Sequence, residues 1–201
     1  VIRKSTGKPH GRGKIVWDDA RVYEGEWWNG RYHGIGKIIY AHGDCYEGAF
    51  RFHKPHGEGV LKCKDGSVYR GMVHEGRGHG QGTMEWPNGD LYKGEWCNDQ
   101  MEGYGVYKYS NGNEYKGNFK NDLCHGYGEM TYADGRCYKG EWENDRIHGK
   151  GVETDANGTV LHDGQWQNNK PLRDVSTSCE MEPAVPQEEK FDDLKQKVHT
   201  A

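Results

Sequence analysis

Apolar and polar residues alternate along most of the chain, and the alternation recurs every 23 residues. One unit reads Gly-Gln-Gly-Thr-Met-Glu-Trp over residues 80–86 and Tyr-Lys-Gly-Glu-Trp over residues 92–96. A period of two is typical of a β-strand, because alternate side chains point to the same face. Each unit is therefore predicted to be a β-hairpin with one face of rings, aliphatic residues and glycine and one polar face.

Two unbroken series of residues define the repeat. A glycine that opens Gly-x-Gly stands at Gly11, Gly34, Gly57, Gly80, Gly103, Gly126 and Gly149, and a tyrosine that opens Tyr-x-Gly stands at Tyr23, Tyr46, Tyr69, Tyr92, Tyr115 and Tyr138. Seven hairpins are predicted, from Gly11 to about Trp166. The fold class is all-β: an elongated, solenoid-like array of hairpins that forms a single twisted antiparallel sheet, in which each unit contacts only its neighbours.

The polar connections and the glycines each have a predicted role. Asn88-Gly89 and its equivalents are interpreted as tight hairpin turns. Asn98-Asp99 and its equivalents are interpreted as the longer connection to the next hairpin. The paired glycines are predicted to leave room for bulky rings of the adjacent strand.

The pattern resembles the MORN repeat family, whose units read roughly Tyr-x-Gly-x-Trp, a polar loop and His-Gly-x-Gly. Residues 92–96 and 79–82 match these motifs, as do residues 138–142 and 148–151. The resemblance implies an elongated twisted sheet that binds proteins, membranes or cytoskeletal structures and has no chemistry of its own. Val73 departs from the pattern where a Trp or Phe is expected, and the last unit is degenerate, which is typical of a capping repeat.

The chain is predicted to have three parts. Residues 1–9 form an N-terminal segment that we interpret as the remainder of an upstream repeat. Residues 10–170 form the array of seven hairpins. Residues 171–201 form a tail, an extended linker or cap, with a short helix at 187–198 suggested by apolar residues at helical spacing.

Composition and motifs exclude several classes of function. With 33% hydrophobic residues and 31 glycines an ordinary globular core is not expected, while 12% aromatic residues argue against disorder. The net charge of −4 gives no general attraction for nucleic acid. No P-loop, dinucleotide-binding or Gly-x-Ser-x-Gly motif is present, so we expect no enzyme and no cofactor. The repeating histidines lie about 9.6 Å apart, too far to share a metal ion, so no metal site is predicted.

The predicted partner-binding groove lies on the aromatic face. Single-layer sheets have nothing behind them, so we expect part of this face to remain exposed and to receive a helix or an extended peptide. The groove residues are Tyr46, Phe50, Tyr69, Tyr92, Trp96, Tyr115, Phe119, Tyr138 and Trp142. The predicted function is that of a non-enzymatic protein-interaction scaffold in a cytoskeletal or membrane-associated assembly.

Two alternatives remain open at this point. A stripe of Arg70, Lys93, Lys116 and Lys139 on the polar face would suit acidic phospholipid, which makes direct lipid binding the first alternative. The second is that the array is the targeting module of a larger enzyme. Six cysteines without a Cys-x-x-Cys pair indicate a reducing compartment, so the predicted location is cytoplasmic, at the cytoskeleton or the membrane periphery. Open sheet edges also predict a homodimer.

Overall fold

The computed structural model describes residues 7–173, which form one open antiparallel sheet of 15 strands. The strands are β1 (Gly11–Val16), β2 (Val22–Trp28), β3 (Arg31–Ile39), β4 (Cys45–Arg51), β5 (Lys54–Lys62), β6 (Val68–His74), β7 (Arg77–Glu85), β8 (Leu91–Cys97), β9 (Gln100–Lys108), β10 (Glu114–Lys120), β11 (Leu123–Thr131), β12 (Cys137–Glu143), β13 (Arg146–Thr154), β14 (Val160–Gln167) and β15 (Lys170–Pro171). Every strand pairs with the next one in the chain. The predicted fold class is confirmed. The predicted helix at 187–198 lies outside the described residues.

Buried tyrosines lie across pairs of facing glycines. Gly117 of β10 pairs with Gly128 of β11, and the ring of Tyr115 lies over both. A methyl group at Gly128 would come within 2.5 Å of two carbons of that ring. The prediction that these glycines make room for rings is therefore confirmed, with the correction that the ring of Tyr115 belongs to one of the two paired strands.

The first glycine of each Gly-x-Gly has a different role. Gly103 has a φ of 61°, in the left-handed region that favours glycine. It lies where the register between β8 and β9 shifts after Gly94. This glycine therefore permits a bulge, which re-aims the following residues of the strand.

The two kinds of connection have the opposite roles to those predicted. Asn98 and Asp99 both have positive φ, at 51° and 70°, which defines a two-residue type I′ hairpin turn. In the Asn88-Gly89 connection only Gly89 has a positive φ, and its N–H donates to the carbonyl of Trp86 at 2.9 Å. That connection is the longer one. The assignment was wrong because Asn and Asp tolerate the left-handed conformation almost as glycine does.

The tight turns also link successive repeats. The N–H of Met101 donates to Asp122 Oδ1 at 2.7 Å, and the N–H of Asp122 donates to the Met101 carbonyl at 3.1 Å. Equivalent side-chain bonds join Asp99 to Gly78, Asp145 to Cys124 and Asn169 to Ile147. We name these bonds the turn clasps. Each of these bonds couples a hairpin to the one before it at one margin of the sheet.

Two tight turns have glycine in place of the clasp residue, at Gly30 and Gly76. In both cases the residue that would donate is a proline, Pro9 or Pro55, which has no N–H. The backbone bond remains, from Gly30 N to Pro9 O at 2.8 Å and from Gly76 N to Pro55 O at 2.9 Å. The side chain of the turn clasp is thus absent at the two turns where no backbone N–H is present to donate to it.

Candidate partner-binding surfaces

The nine predicted groove residues are all buried in the sheet's thin core. Their side chains are between 0% and 6% exposed. They belong to a line of rings along the array, which we name the ring ladder: Tyr23, Trp27, Tyr46, Phe50, Tyr69, Tyr92, Trp96, Tyr115, Phe119, Tyr138, Trp142 and Trp166. A partner could touch these rings directly only if the side chains that cover them moved aside.

The rings cover one another. Tyr115 makes edge-to-face contacts with Phe119 of its own hairpin, at a centroid separation of 5.1 Å, and with Trp142 of the next hairpin, at 5.2 Å. Such pairs are favourable beyond the area that they bury. The nine predicted groove residues are therefore not exposed, because most of the tyrosines are enclosed between the large rings of two successive repeats.

The tyrosine hydroxyls connect the ring ladder to the backbone beneath the opposite face. The hydroxyl of Tyr115 donates to the carbonyl of Asn118 at 3.0 Å, and that of Tyr138 donates to the carbonyl of Glu141 at 3.0 Å. Desolvation by burial raises the pKa of Tyr46 to about 12, so this hydroxyl stays protonated and remains a donor at neutral pH. The side chains of Asn118 and Glu141 are themselves exposed on the other face. The ladder therefore fixes the backbone that carries them.

One repeat interrupts the ladder. Val73 takes the place of the large ring, and its partner across the β6–β7 pair is Gly78. Tyr69 consequently packs against Trp96 of the next hairpin, at a centroid separation of 5.3 Å, without a ring from its own. This is the thinnest part of the core.

Large apolar side chains are exposed on the opposite, polar face. Tyr104 and Tyr127 are 56% and 62% exposed, and Ile35 is 53% exposed. All three are the middle residue of a Gly-x-Gly, in the fifth, sixth and second hairpins. The two tyrosines thus occupy equivalent positions in consecutive repeats.

The two tyrosines and three polar neighbours lie on five consecutive strands, β8 to β12. We name them the tyrosine row: Glu95, Tyr104, Asn118, Tyr127 and Glu141. Tyr104 N donates to Glu95 Oε1 at 3.4 Å, and Asn118 Nδ2 donates to the carbonyl of Tyr127 at 3.3 Å. Tyr127 pairs across strands with Glu141. An amide side chain therefore stands between two exposed rings, and a carboxylate stands at each end.

Sequence reasoning missed the tyrosine row, although a signal for it was present. The middle residue of the Gly-x-Gly motif varies from one repeat to the next, and only in two consecutive units is it tyrosine. The large number of other rings in the sequence concealed this difference. The tyrosines that recur in six consecutive repeats build the core, whereas Tyr104 and Tyr127, at the variable middle position of Gly-x-Gly, face solvent.

The predicted lipid stripe lies on the polar face, where carboxylates neutralise most of it. Arg70 pairs with Glu85 at 3.4 Å and Lys139 with Glu129 at 3.2 Å, and Lys116 pairs with Glu114. Lys93 has no carboxylate within 4.0 Å among residues 7–173. Exposed pairs of this kind contribute little to stability, but they reduce the net positive charge of the stripe. Lipid binding stays a prediction.

The described residues offer no sign of a metal centre. Among residues 7–173 there is no group of three or more His, Cys, Asp or Glu side chains placed to hold an ion. The same part of the chain contains no helix long and apolar enough to cross a bilayer.

Comparison with solved structures gives matches of low similarity. The TCP domain of Drosophila melanogaster SAS-4 (dCPAP), solved in complex with a proline-rich motif of Ana2 (dSTIL), is 13% identical, with a TM-score of 0.49 over 78% of this chain and 85% of that chain. The wild-type TCP10 domain of Danio rerio CPAP is 14% identical, with a TM-score of 0.21 over 78% and 90%. A likeness of this degree carries no conclusion about function.

Comparison with curated proteins gives no match. The family comparison gives a clear one: the MORN repeat model matches residues 7–19, 23–45, 46–68, 69–91, 92–114, 115–135 and 138–160. These segments cover most of the chain and follow the 23-residue spacing of the hairpins. The chain belongs to the MORN repeat family.

Proposed function

We propose that this chain is a non-enzymatic scaffold that binds a segment of a partner protein across several consecutive repeats. The observation that carries the proposal is the pair of exposed rings, Tyr104 and Tyr127, at equivalent positions of neighbouring hairpins. Tyrosine is among the side chains most enriched at binding hot spots. Two such rings about 9.6 Å apart, separated by two strand spacings, favour an elongated ligand over a compact one.

The scaffold presents these rings on a rigid base. Tyr115 holds the Asn118 carbonyl from below, and the clasp between Asp122 and Met101 links the two hairpins that carry the rings. Because these bonds exist before a partner arrives, little ordering of the surface is required on binding, which favours affinity. In this proposal the predicted groove residues act from beneath, since they form the core that supports the exposed face.

The setting of this interaction is also part of the proposal. We place the protein in the cytoplasm, in an assembly at the cytoskeleton or the membrane periphery, where an elongated array would hold a partner at a fixed distance. Direct binding of acidic phospholipid is the alternative, and it would use the stripe that contains Lys93. A liposome assay with and without phosphatidylserine separates the two readings, because a lipid stripe requires anionic lipid and weakens with salt.

Selection from a display library of random 16-residue peptides tests the proposal. We expect enriched clones to lose at least about tenfold in affinity for the variant Tyr104→Ala/Tyr127→Ala, which removes both exposed rings. The matched control is Ile35→Ala, an exposed side chain at the same position of another repeat, for which affinity should not change.

The proposal is contradicted if no clone is enriched over an empty support. Clones that bind the double variant as tightly as the natural protein would place the partner elsewhere, on the aromatic face or at the sheet margins. Circular dichroism of each variant confirms that the array is folded before binding is compared.

A further inference from the structure

We propose that the tyrosine row binds a proline-rich segment in the polyproline II conformation, with basic residues three positions before and three positions after a central proline. The proline lies between Tyr104 and Tyr127, and the basic residues lie on Glu95 and Glu141. This inference rests on the proposed function and names the chemical class of its partner.

Spacing along the sheet favours this conformation. Two strand spacings separate Tyr104 from Tyr127, about 9.6 Å. Three residues of polyproline II rise about 9.3 Å and complete one turn, so residues i and i+3 present the same side. An α-helix rises about 9.0 Å in six residues or 10.5 Å in seven, which fits less closely. A β-strand of three residues has a similar length, but its residues i and i+3 point to opposite faces.

The polar groups of the row suit a backbone that has free carbonyls. The hydroxyls of Tyr104 and Tyr127 are exposed, and the Asn118 amide uses one donor on the Tyr127 carbonyl and retains a second. A polyproline II segment has no internal hydrogen bonds, so its carbonyls remain free to accept from these donors. The backbone of an α-helix is already satisfied and would leave the same donors without backbone partners.

The charges at the two ends of the tyrosine row favour basic residues in the bound segment. Glu95 and Glu141 lie four strands apart, about 19 Å, and six residues of polyproline II span about 18.6 Å. Among residues 7–173 neither carboxylate has a Lys, Arg or His nitrogen within 4.0 Å, in contrast to Glu85, Glu114 and Glu129 near the basic stripe. Unpaired carboxylates at both ends of the row favour Arg or Lys at both ends of the segment.

Fluorescence anisotropy with a labelled peptide that contains Arg-Pro-Pro-Pro-Pro-Pro-Arg tests the proposal on the full chain. We expect saturable binding that weakens at least about tenfold in Tyr104→Ala/Tyr127→Ala and does not change in Ile35→Ala. A peptide with Glu in place of both Arg should bind about tenfold more weakly, and the variant Glu95→Gln/Glu141→Gln should reduce that preference.

Register and conformation have their own controls. A peptide with one proline removed shortens the spacing between the arginines and should bind more weakly. A helical peptide with arginines thirteen positions apart, about 19.5 Å along the helix axis, should not compete. The inference is overturned if the proline-rich peptide shows no saturable binding at millimolar concentration. It is also overturned if the helical peptide binds better, or if both tyrosines are dispensable. In those cases, clones from the random library that still require the tyrosines would leave the scaffold function intact.

Discussion

The two faces of this sheet use the same residue type in opposite ways. Tyr115 on β10 is fully buried, and its ring covers the backbone of its own repeat. Tyr127 on β11 is 62% exposed and has no ring packed against it within the described chain. The first belongs to a series of equivalent tyrosines in six consecutive repeats, whereas the second has an equivalent only at Tyr104 in the preceding repeat. The recurring tyrosine therefore builds the fold, whereas Tyr127 lies at a variable position of the polar face and is free to serve function.

The ring ladder itself contains a strong and a weak part, and substitutions there should have the largest effects. Trp142→Ala removes a ring that contacts Tyr115 and Tyr138, so we expect a loss of about 3–5 kcal/mol in the free energy of unfolding. Val73→Ala removes two methyl groups where the ladder is already interrupted, and should cost about 2 kcal/mol. Urea denaturation measures both, and equal losses would contradict the described interruption.

A substitution at one of the paired glycines beneath the tyrosine rings should disturb the buried face by overpacking it. Gly128→Ala adds a methyl group against the ring of Tyr115, and overpacking of this kind costs about 1–3 kcal/mol. The same substitution in a Tyr115→Ala background should cost much less, because the obstructing ring is gone. A double-mutant cycle measured by denaturation gives this coupling, and additive losses would show that the methyl group meets something else.

The turn clasps should contribute less than the rings. Asp122→Gly keeps a residue that tolerates positive φ but leaves the buried Met101 N–H without its acceptor, so we expect a loss of about 1–2 kcal/mol. The chain supplies its own control in Gly76, which lies opposite Pro55. Gly76→Asp should give no gain from a clasp unless Pro55→Ala restores the N–H donor. A gain with Pro55 in place would refute the explanation of the missing clasps.

The smallest effect should appear as a dependence on pH at the opposite margin. Asp90 accepts the N–H of Ser110 at 2.8 Å, and this bond holds the pKa of the carboxyl below its ordinary value of 3.8. Its contribution to stability is therefore complete above pH 3.8 and is lost as the pH falls through the lower folded value.

Asn113, which accepts from Ala133 at the equivalent position, suggests the matched variant. Asp90→Asn should keep most of the stability at pH 7 and lose less between pH 4 and pH 2 than the natural protein does. Thermal unfolding across that range makes the comparison. Identical pH profiles would mean that the Asp90 carboxylate contributes nothing to acid sensitivity.

The sequence predicts the fold because the fold depends on local periodicity. The 23-residue series and the period of two define the strands and their buried side, as Tyr92 and Trp96 illustrate. The turns were harder to predict, because Asn98-Asp99 adopts a backbone conformation that Asn-Gly was expected to adopt. The backbone φ angles distinguish the Asn98-Asp99 turns from the Asn-Gly connections.

The exposure of individual rings could not be predicted, for a physical reason. Burial of Tyr115 depends on Trp142, which lies 27 positions later and reaches it across the sheet. Alternation shows which face a ring occupies, but not whether a neighbouring repeat covers it. Apolar residues are few on the polar face, and Tyr104 and Tyr127 are distinguished from the other rings only when their exposure is known.

The most direct test of this account compares Tyr115→Ala with Tyr127→Ala by urea denaturation. Both substitutions remove the same side chain, from adjacent strands and opposite faces. We predict a loss of about 3–5 kcal/mol in the free energy of unfolding for Tyr115→Ala. For Tyr127→Ala we predict a change within about 0.5 kcal/mol. Comparable losses for the two variants would contradict the claim that one face builds the fold and the other is free to bind a partner.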